Sequence, residues 1–177
     1  MTFIQHYESP LCGILLAADE IGLTGLWFDG EKYFADHLPA EHTEKETSIL
    51  TETKRWLDIY FVGKEPDFLP PLHPVGSVFR KSVWEILLKI PYGQTTTYGE
   101  IARQLAKRQG LVQMSAQAVG GAVGHNEISI IILCHRVVGT NESLTGYAGG
   151  IDRKIGLLEL EQTDMSHLFV PKKGTAL

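Results

Sequence analysis

The sequence predicts an α+β chain. A small N-terminal α/β domain, with a short antiparallel sheet plus a helix, precedes a mostly helical C-terminal domain with a helix-turn-helix. Three observations predict this. Residues 3–28 alternate short apolar runs with turn signals, the pattern of paired strands. The stretch from Lys64 to Pro74 carries Pro66, Pro70, Pro71 and Pro74, so it cannot be a regular helix. Beyond it, apolar residues recur at helical spacing in segments separated by glycine.

Taken in order, Ile14-Leu15-Leu16-Ala17-Ala18 and Leu23-Thr24-Gly25-Leu26-Trp27-Phe28 read as strands joined by a tight turn. Residues 44–62 read as a helix: Ile49, Leu50, Thr53, Trp56, Leu57, Tyr60 and Phe61 share one face, and Gly63 ends it. The proline-rich stretch is an expected ordered linker, giving domains at 1–75 and 76–163 and a tail at 164–177. From Ser77 to Ile90, Phe79, Val83, Ile86, Leu87 and Ile90 form an apolar face, stopped by Pro91-Tyr92-Gly93. Thr97-Tyr98-Gly99-Glu100 has the spacing of a capping box, and the helix it opens runs to about Arg108. After a break at Gly110, another helix spans roughly Met114 to Gly124. Two short helices joined by a glycine-containing turn suggest a helix-turn-helix. The second is rich in small residues: Ser115, Ala116, Ala118, Gly120, Gly121 and Ala122. Glycine within a helix costs up to about 1 kcal/mol relative to alanine. Close packing on a neighbouring helix, or close approach to an external surface, would offset that cost.

Composition narrows the class. A hydrophobic content of 44% supports a packed core. No run is long enough for a membrane span, and the N-terminus lacks a basic segment followed by an apolar one. Two cysteines, Cys12 and Cys134, are too few for a disulfide framework, which suits a reducing cytoplasm. Cys12 with the scattered His6, His37, His42 and His73 has no convincing zinc spacing, so no metal is expected. The net charge of −5 is unevenly spread. Residues 1–75 hold 5 basic and 13 acidic side chains, whereas residues 76–163 hold 9 and 7. Only the second part could face phosphate, and weak, salt-sensitive contact with DNA is the most its charge supports.

Ile128-Ser129-Ile130-Ile131-Ile132-Leu133 reads as an apolar, β-rich run that stops at Cys134-His135-Arg136. A thiol beside an imidazole and a guanidinium is a candidate nucleophile, because the thiolate is the attacking form and adjacent positive charge favours it. Alone, the cysteine reads more readily as a small buried apolar residue.

The neighbours weigh on that choice. The ordered set comprises Ile90-Pro91-Tyr92-Gly93, Thr97-Tyr98-Gly99-Glu100-Ile101-Ala102, Ala118-Val119-Gly120-Gly121-Ala122 and Asn126. It continues with Cys134-His135-Arg136-Val137-Val138, Gly146-Tyr147, Gly149-Gly150, Lys154 and Leu157-Leu158-Glu159-Leu160-Glu161. From about Val78 to Glu161 this resembles the catalytic domain of the O6-alkylguanine-DNA alkyltransferases, the methylated-DNA–protein-cysteine methyltransferases. The resemblance implies irreversible, single-turnover repair of O6-alkylguanine, and of O4-alkylthymine, with no cofactor. Cys134 would accept the alkyl group, His135 would act as general base through a water, and Glu161 would orient His135. Asn126 would brace the turn before the active-site segment. Tyr98 would donate a hydrogen bond to the leaving base, while Val137, Tyr147, Ala148 and Gly149 would line the guanine pocket. Ser115, Ala116, Gln117, Ala118, Gly120 and Arg136 would contact double-stranded DNA through the minor groove. A monomer acting on a flipped base is expected.

Three positions depart from the family pattern. Gln117 stands where an intercalating arginine is usual, Leu133 where proline precedes the cysteine, and Glu127 where proline follows the asparagine. The first weakens the expected grip on DNA, the second loosens the backbone beside the thiol, and the third would set a carboxylate near the DNA-facing turn. They motivate an alternative, a non-enzymatic protein that binds alkylguanine lesions. A cysteine hydrolase ranks last, since no oxyanion-hole feature stands out.

Overall fold

Alternation and β-propensity place the first strands as expected, and one strand precedes them. β1 (Thr2–Glu8), β2 (Gly13–Ala18) and β3 (Leu23–Phe28) form an antiparallel meander; β4 (His42–Glu44) pairs parallel to β1, giving the order β3-β2-β1-β4. β2 has no polar face, and Ile14 through Ala18 are all buried, as in a strand covered on both sides. Ile4, Leu15, Ala17 and Trp27 cluster with Ala35 and Leu38. Helix α1 (Ser48–Phe61) packs on the sheet and buries Leu50, Thr53, Trp56, Leu57 and Tyr60. It begins later than the periodicity suggested because residues 42–44 are drawn into β4, and Thr47 caps it by accepting from the Leu50 amide.

The structure is a computed structural model describing residues 1–172, and its contacts divide the chain into two units. The first is Met1–Val75 with Glu127–Ser129; the second is Gly76–Asn126 with Ile130 onward. The three-residue exchange covers the outer edge of β3. Leu26 N donates to Glu127 O at 2.8 Å and Ser129 N to Leu26 O at 3.0 Å, while Leu23 N donates to Pro71 O at 2.7 Å and His73 N to Leu23 O at 2.8 Å. Two short segments thus satisfy an edge that would otherwise offer unpaired groups. The close approach requires Gly22, where a Cβ would lie 2.8 Å from the Pro71 carbonyl oxygen.

The run from Ile128 to Leu133 therefore forms no strand. Its first part makes a single parallel bridge to Leu26, and Ile130 sits at φ 71°, which no ladder residue adopts. Its apolar composition reports burial rather than pairing: Ile128 and Ile130 through Leu133 are all buried.

The second unit is mostly helical. α2 (Val78–Leu87) starts at Ser77, whose hydroxyl accepts from the Arg80 amide. β5 (Thr96–Thr97) leads directly into α3 (Tyr98–Gln109), capped by Thr97 accepting from Glu100 N and closed by Gly110 at φ 65°. Glu100 does not complete the box; its carboxylate pairs with Arg103 at 2.6 Å. α4 (Ala116–Gly124) follows with Ser115 as its cap and packs on both α2 and α3. A short 3-10 turn spans Cys134–Arg136, β6 (Val137–Val138) pairs parallel to β5, and α5 (Ile151–Leu160) closes the unit. The described part of the tail is not separate, because Met165 and Leu168 pack on Val138, Leu144 and Leu158. Residues 173–177 of the expected tail lie outside the described residues. Among the described residues no helix is long and apolar enough to cross a membrane.

Candidate active site

The β5–β6 ladder organises the site. Thr96 and Thr97 pair with Val137 and Val138, so the first residue of α3, Tyr98, is tied beside the turn that carries Cys134. That turn is tight: Cys134 N donates to Ile132 O at 2.8 Å and Arg136 N to Leu133 O at 3.0 Å. Asn126 braces it from the end of α4. Its Nδ2 donates to Ile132 O at 2.8 Å and to Cys134 Sγ at 3.1 Å. One amide thus holds both the backbone before the thiol and the thiol itself.

His135 is fully buried, and its Nε2 meets Glu161 Oε1 at 2.6 Å. Burial disfavours the charged imidazole and lowers its pKa below the usual histidine value, more than the Glu161 carboxylate raises it. The ring is therefore neutral. A carboxylate at Nε2 selects the tautomer with the proton there. The lone pair is left on Nδ1, which is buried and has no hydrogen-bond partner among the described residues.

Glu161 serves two groups. Its Oε2 accepts from Arg136 Nε at 2.8 Å, and Arg136 Nη1 donates to Ile90 O at 2.6 Å, with the guanidinium 5.5 Å from the Tyr92 ring centroid. Burial works to raise the Glu161 pKa, but bonds from His135 and Arg136 outweigh it and bring it down to about 2. Since the imidazole is neutral, the arginine is the lasting counter-ion.

Arg136 was expected to face DNA, and its position corrects that expectation: it is 4% exposed, and its donors are turned inward. Gly120 was expected on the same surface and is buried in the unit instead. The exposed positions of α4 and its cap are Ser115, Ala116, Gln117, Ala118 and Gly121. A Cβ on Gly121 would meet nothing within 4 Å, so packing inside the protein does not explain that glycine. Glu127 departs from expectation too. It is 4% exposed, and its carboxylate accepts from Trp27 Nε1 and meets His37 Nδ1 at 2.7 Å, so it offers no charge to a surface.

The Tyr98 hydroxyl donates to Gly146 O at 3.3 Å, and Tyr147 lies edge-on to His135 with centroids 6.5 Å apart. Gly150 N donates to Tyr147 O at 2.9 Å, closing a turn that holds half-buried Ala148 and buried Gly149. Val137 is buried, and its carbonyl accepts from Lys154. Burial raises the Tyr98 pKa, so its hydroxyl stays protonated and able to donate. Sequence reasoning assigned Lys154 no role; as a charged helix residue it gave no signal of its complete burial.

Comparison with known proteins decides the family. Residues 3–74 match the ribonuclease-like domain, and residues 78–163 the DNA-binding domain, of 6-O-methylguanine DNA methyltransferase. The chain belongs to that family. It is 45% identical over 156 residues to a methylated-DNA–protein-cysteine methyltransferase of Methanosarcina acetivorans, covering 88% of this chain and 95% of that one. The corresponding Haemophilus influenzae protein is 36% identical, with 90% of this chain and 86% of the relative covered. A crystal structure of Mycobacterium tuberculosis OGT in complex with DNA superposes with a TM-score of 0.77 at 37% identity, covering 96% of each chain. The family's mixed sheet-and-helix architecture is the one described above.

Proposed function

We propose that the protein repairs DNA by moving an alkyl group from O6 of guanine to Cys134, once per molecule. One observation carries the reading. A thiol held by Asn126 is followed by a neutral imidazole whose Nε2 is fixed by Glu161, leaving an Nδ1 lone pair with no partner among the described residues. This is the nucleophile, base and orienter arrangement with sulfur as nucleophile.

His135 Nδ1 takes the thiol proton through a water. Cys134 Sγ attacks the alkyl carbon, the S–C bond forms as the C–O6 bond breaks, and the electron pair goes to guanine. The base then takes up a proton and leaves as neutral guanine, so the net transfer is one alkyl group against one proton. Tyr98 donates as charge develops, and Val137, Tyr147, Ala148 and Gly149 line the base pocket. The product thioether does not hydrolyse, which makes the reaction stoichiometric and free of any cofactor. O4-alkylthymine presents the same alkyl–oxygen bond and is a second substrate.

The target must leave the stack to reach a buried thiol. The pair α3 and α4 acts as a helix-turn-helix, and the exposed small residues around Gln117 let α4 enter the minor groove of double-stranded DNA. Gln117 fills the gap left by the flipped base. Two free cysteines support a reducing, cytoplasmic setting, and each chain carries its whole reactive set, which supports action as a monomer. Lesion binding without transfer is not favoured, since Cys134 is present and the curated relatives cited above are named as transferases.

The test is an excess of duplex containing O6-methylguanine, with the DNA digested and its bases separated. Restored guanine should plateau at one per protein, and Cys134→Ser should abolish it; continued turnover, or none with the intact protein, overturns the proposal.

A further inference from the structure

Lys154 is wholly buried, yet among the described residues its ammonium bonds only to backbone oxygens, those of Val137 and Thr145. A buried charge is costly unless an opposite charge accompanies it. Glu161 caps the far end of the same helix, and Arg136 already serves it as counter-ion. The buried set therefore holds two cations, Arg136 and Lys154, against one anion, with His135 neutral. One positive charge is left over.

We propose that Lys154 is the electrostatic partner of the Cys134 thiolate, a positioning residue that cancels the negative charge the nucleophile needs. Lys154 and Glu161 stand seven residues apart at the two ends of α5, two turns that present both to the same side of the helix. One helix thus delivers the acid that orients His135 and the cation that steadies the sulfur. The two backbone bonds serve the same end: they fix the ammonium and tie the Val137 backbone to that of Thr145. Around Cys134, neutral Asn126 from the end of α4 donates to the sulfur, Tyr98 from α3 and Lys154 from α5 interact with it electrostatically, and His135 and Arg136 of its own turn are held by Glu161. Burial pulls the Lys154 pKa down to about 8, and the field of Cys134 opposes that fall, which is the coupling the proposal requires. Above that pH the partnership fades.

This rests on Cys134 as the nucleophile, so its test uses a small electrophile and no DNA. The full-length protein and Lys154→Met are treated with iodoacetamide across pH, and modification of the Cys134 peptide is followed by mass. The variant should show its midpoint about one pH unit higher and roughly a tenfold slower reaction near neutrality. A folded variant with an unchanged midpoint overturns the proposal. Should Lys154→Met not fold, the reciprocal measurement decides. The Lys154 ammonium is titrated by NMR in the intact protein and in Cys134→Ala. Its pKa should fall when the sulfur is removed, and an unchanged value overturns the proposal. Failure of methyl transfer from a lesion duplex alongside intact Lys154 coupling would instead strike the repair function alone.

Discussion

Arg136→Met separates two readings of one residue. Read from sequence, an arginine beside the nucleophile belongs on the DNA. In the structure its guanidinium binds Glu161 at 2.8 Å and Ile90 O at 2.6 Å, with Glu161 itself buried. Removing one partner of such a pair leaves an uncompensated buried charge and costs about 3–5 kcal/mol. Losing the donor to Ile90 O adds about 1 kcal/mol. Against a total stability of roughly 5–15 kcal/mol the variant folds wherever that total exceeds about 6 kcal/mol. With a urea m-value near 2 kcal/mol per M, the unfolding midpoint should drop by about 2–3 M. Arg136→Lys should recover only part of this, because an ammonium lacks the planar fork. Binding to undamaged duplex is then measured against salt below the new midpoint, and its slope should match that of the unmutated protein. If the midpoint holds while affinity falls and the salt slope shrinks by about one, Arg136 faces phosphate and the buried assignment is wrong.

The other perturbations follow the same logic. Gln117→Arg adds one exposed cation to α4, so duplex affinity should rise and the salt slope steepen by about one unit in a filter-binding series. Gly121→Leu enters open space and should stabilise α4 by up to about 1 kcal/mol on helix propensity, yet weaken duplex binding where close approach is needed. Glu127→Ala deprives Trp27 and His37 of their acceptor, so thermal unfolding should show a loss of about 1–3 kcal/mol with no change in the salt dependence of DNA binding. Glu161 is more acidic folded than unfolded, so its contribution is complete above the ordinary value of 4.5 and drains away as pH falls towards about 2. Replacing it by Gln should flatten that acid limb in pH-dependent denaturation.

What the sequence made legible was local or ordered along the chain. Thr97 announced its helix because a capping hydroxyl acts on an amide three residues on. Cys134, His135, Asn126, Tyr98 and Glu161 stood out together only through their order. What stayed hidden depended on partners far along the chain. Glu127 is buried by Trp27, a hundred residues away, and nothing beside it signals that. Arg136 and Lys154 carry charges whose usual place is the surface, and only the folded turn and α5 show their donors spent inside. Ile128 to Leu133 read as a β-rich run because burial and β-pairing select the same residues; a single bridge and a positive φ stand where a ladder would be.

Peptide mass mapping after one round with an O6-methylguanine duplex tests the central claim on the protein itself. A single added methyl group on the Cys134 peptide, with Cys12 unmodified, is the predicted result. A methyl group elsewhere, or none while the lesion remains tightly bound, would contradict it.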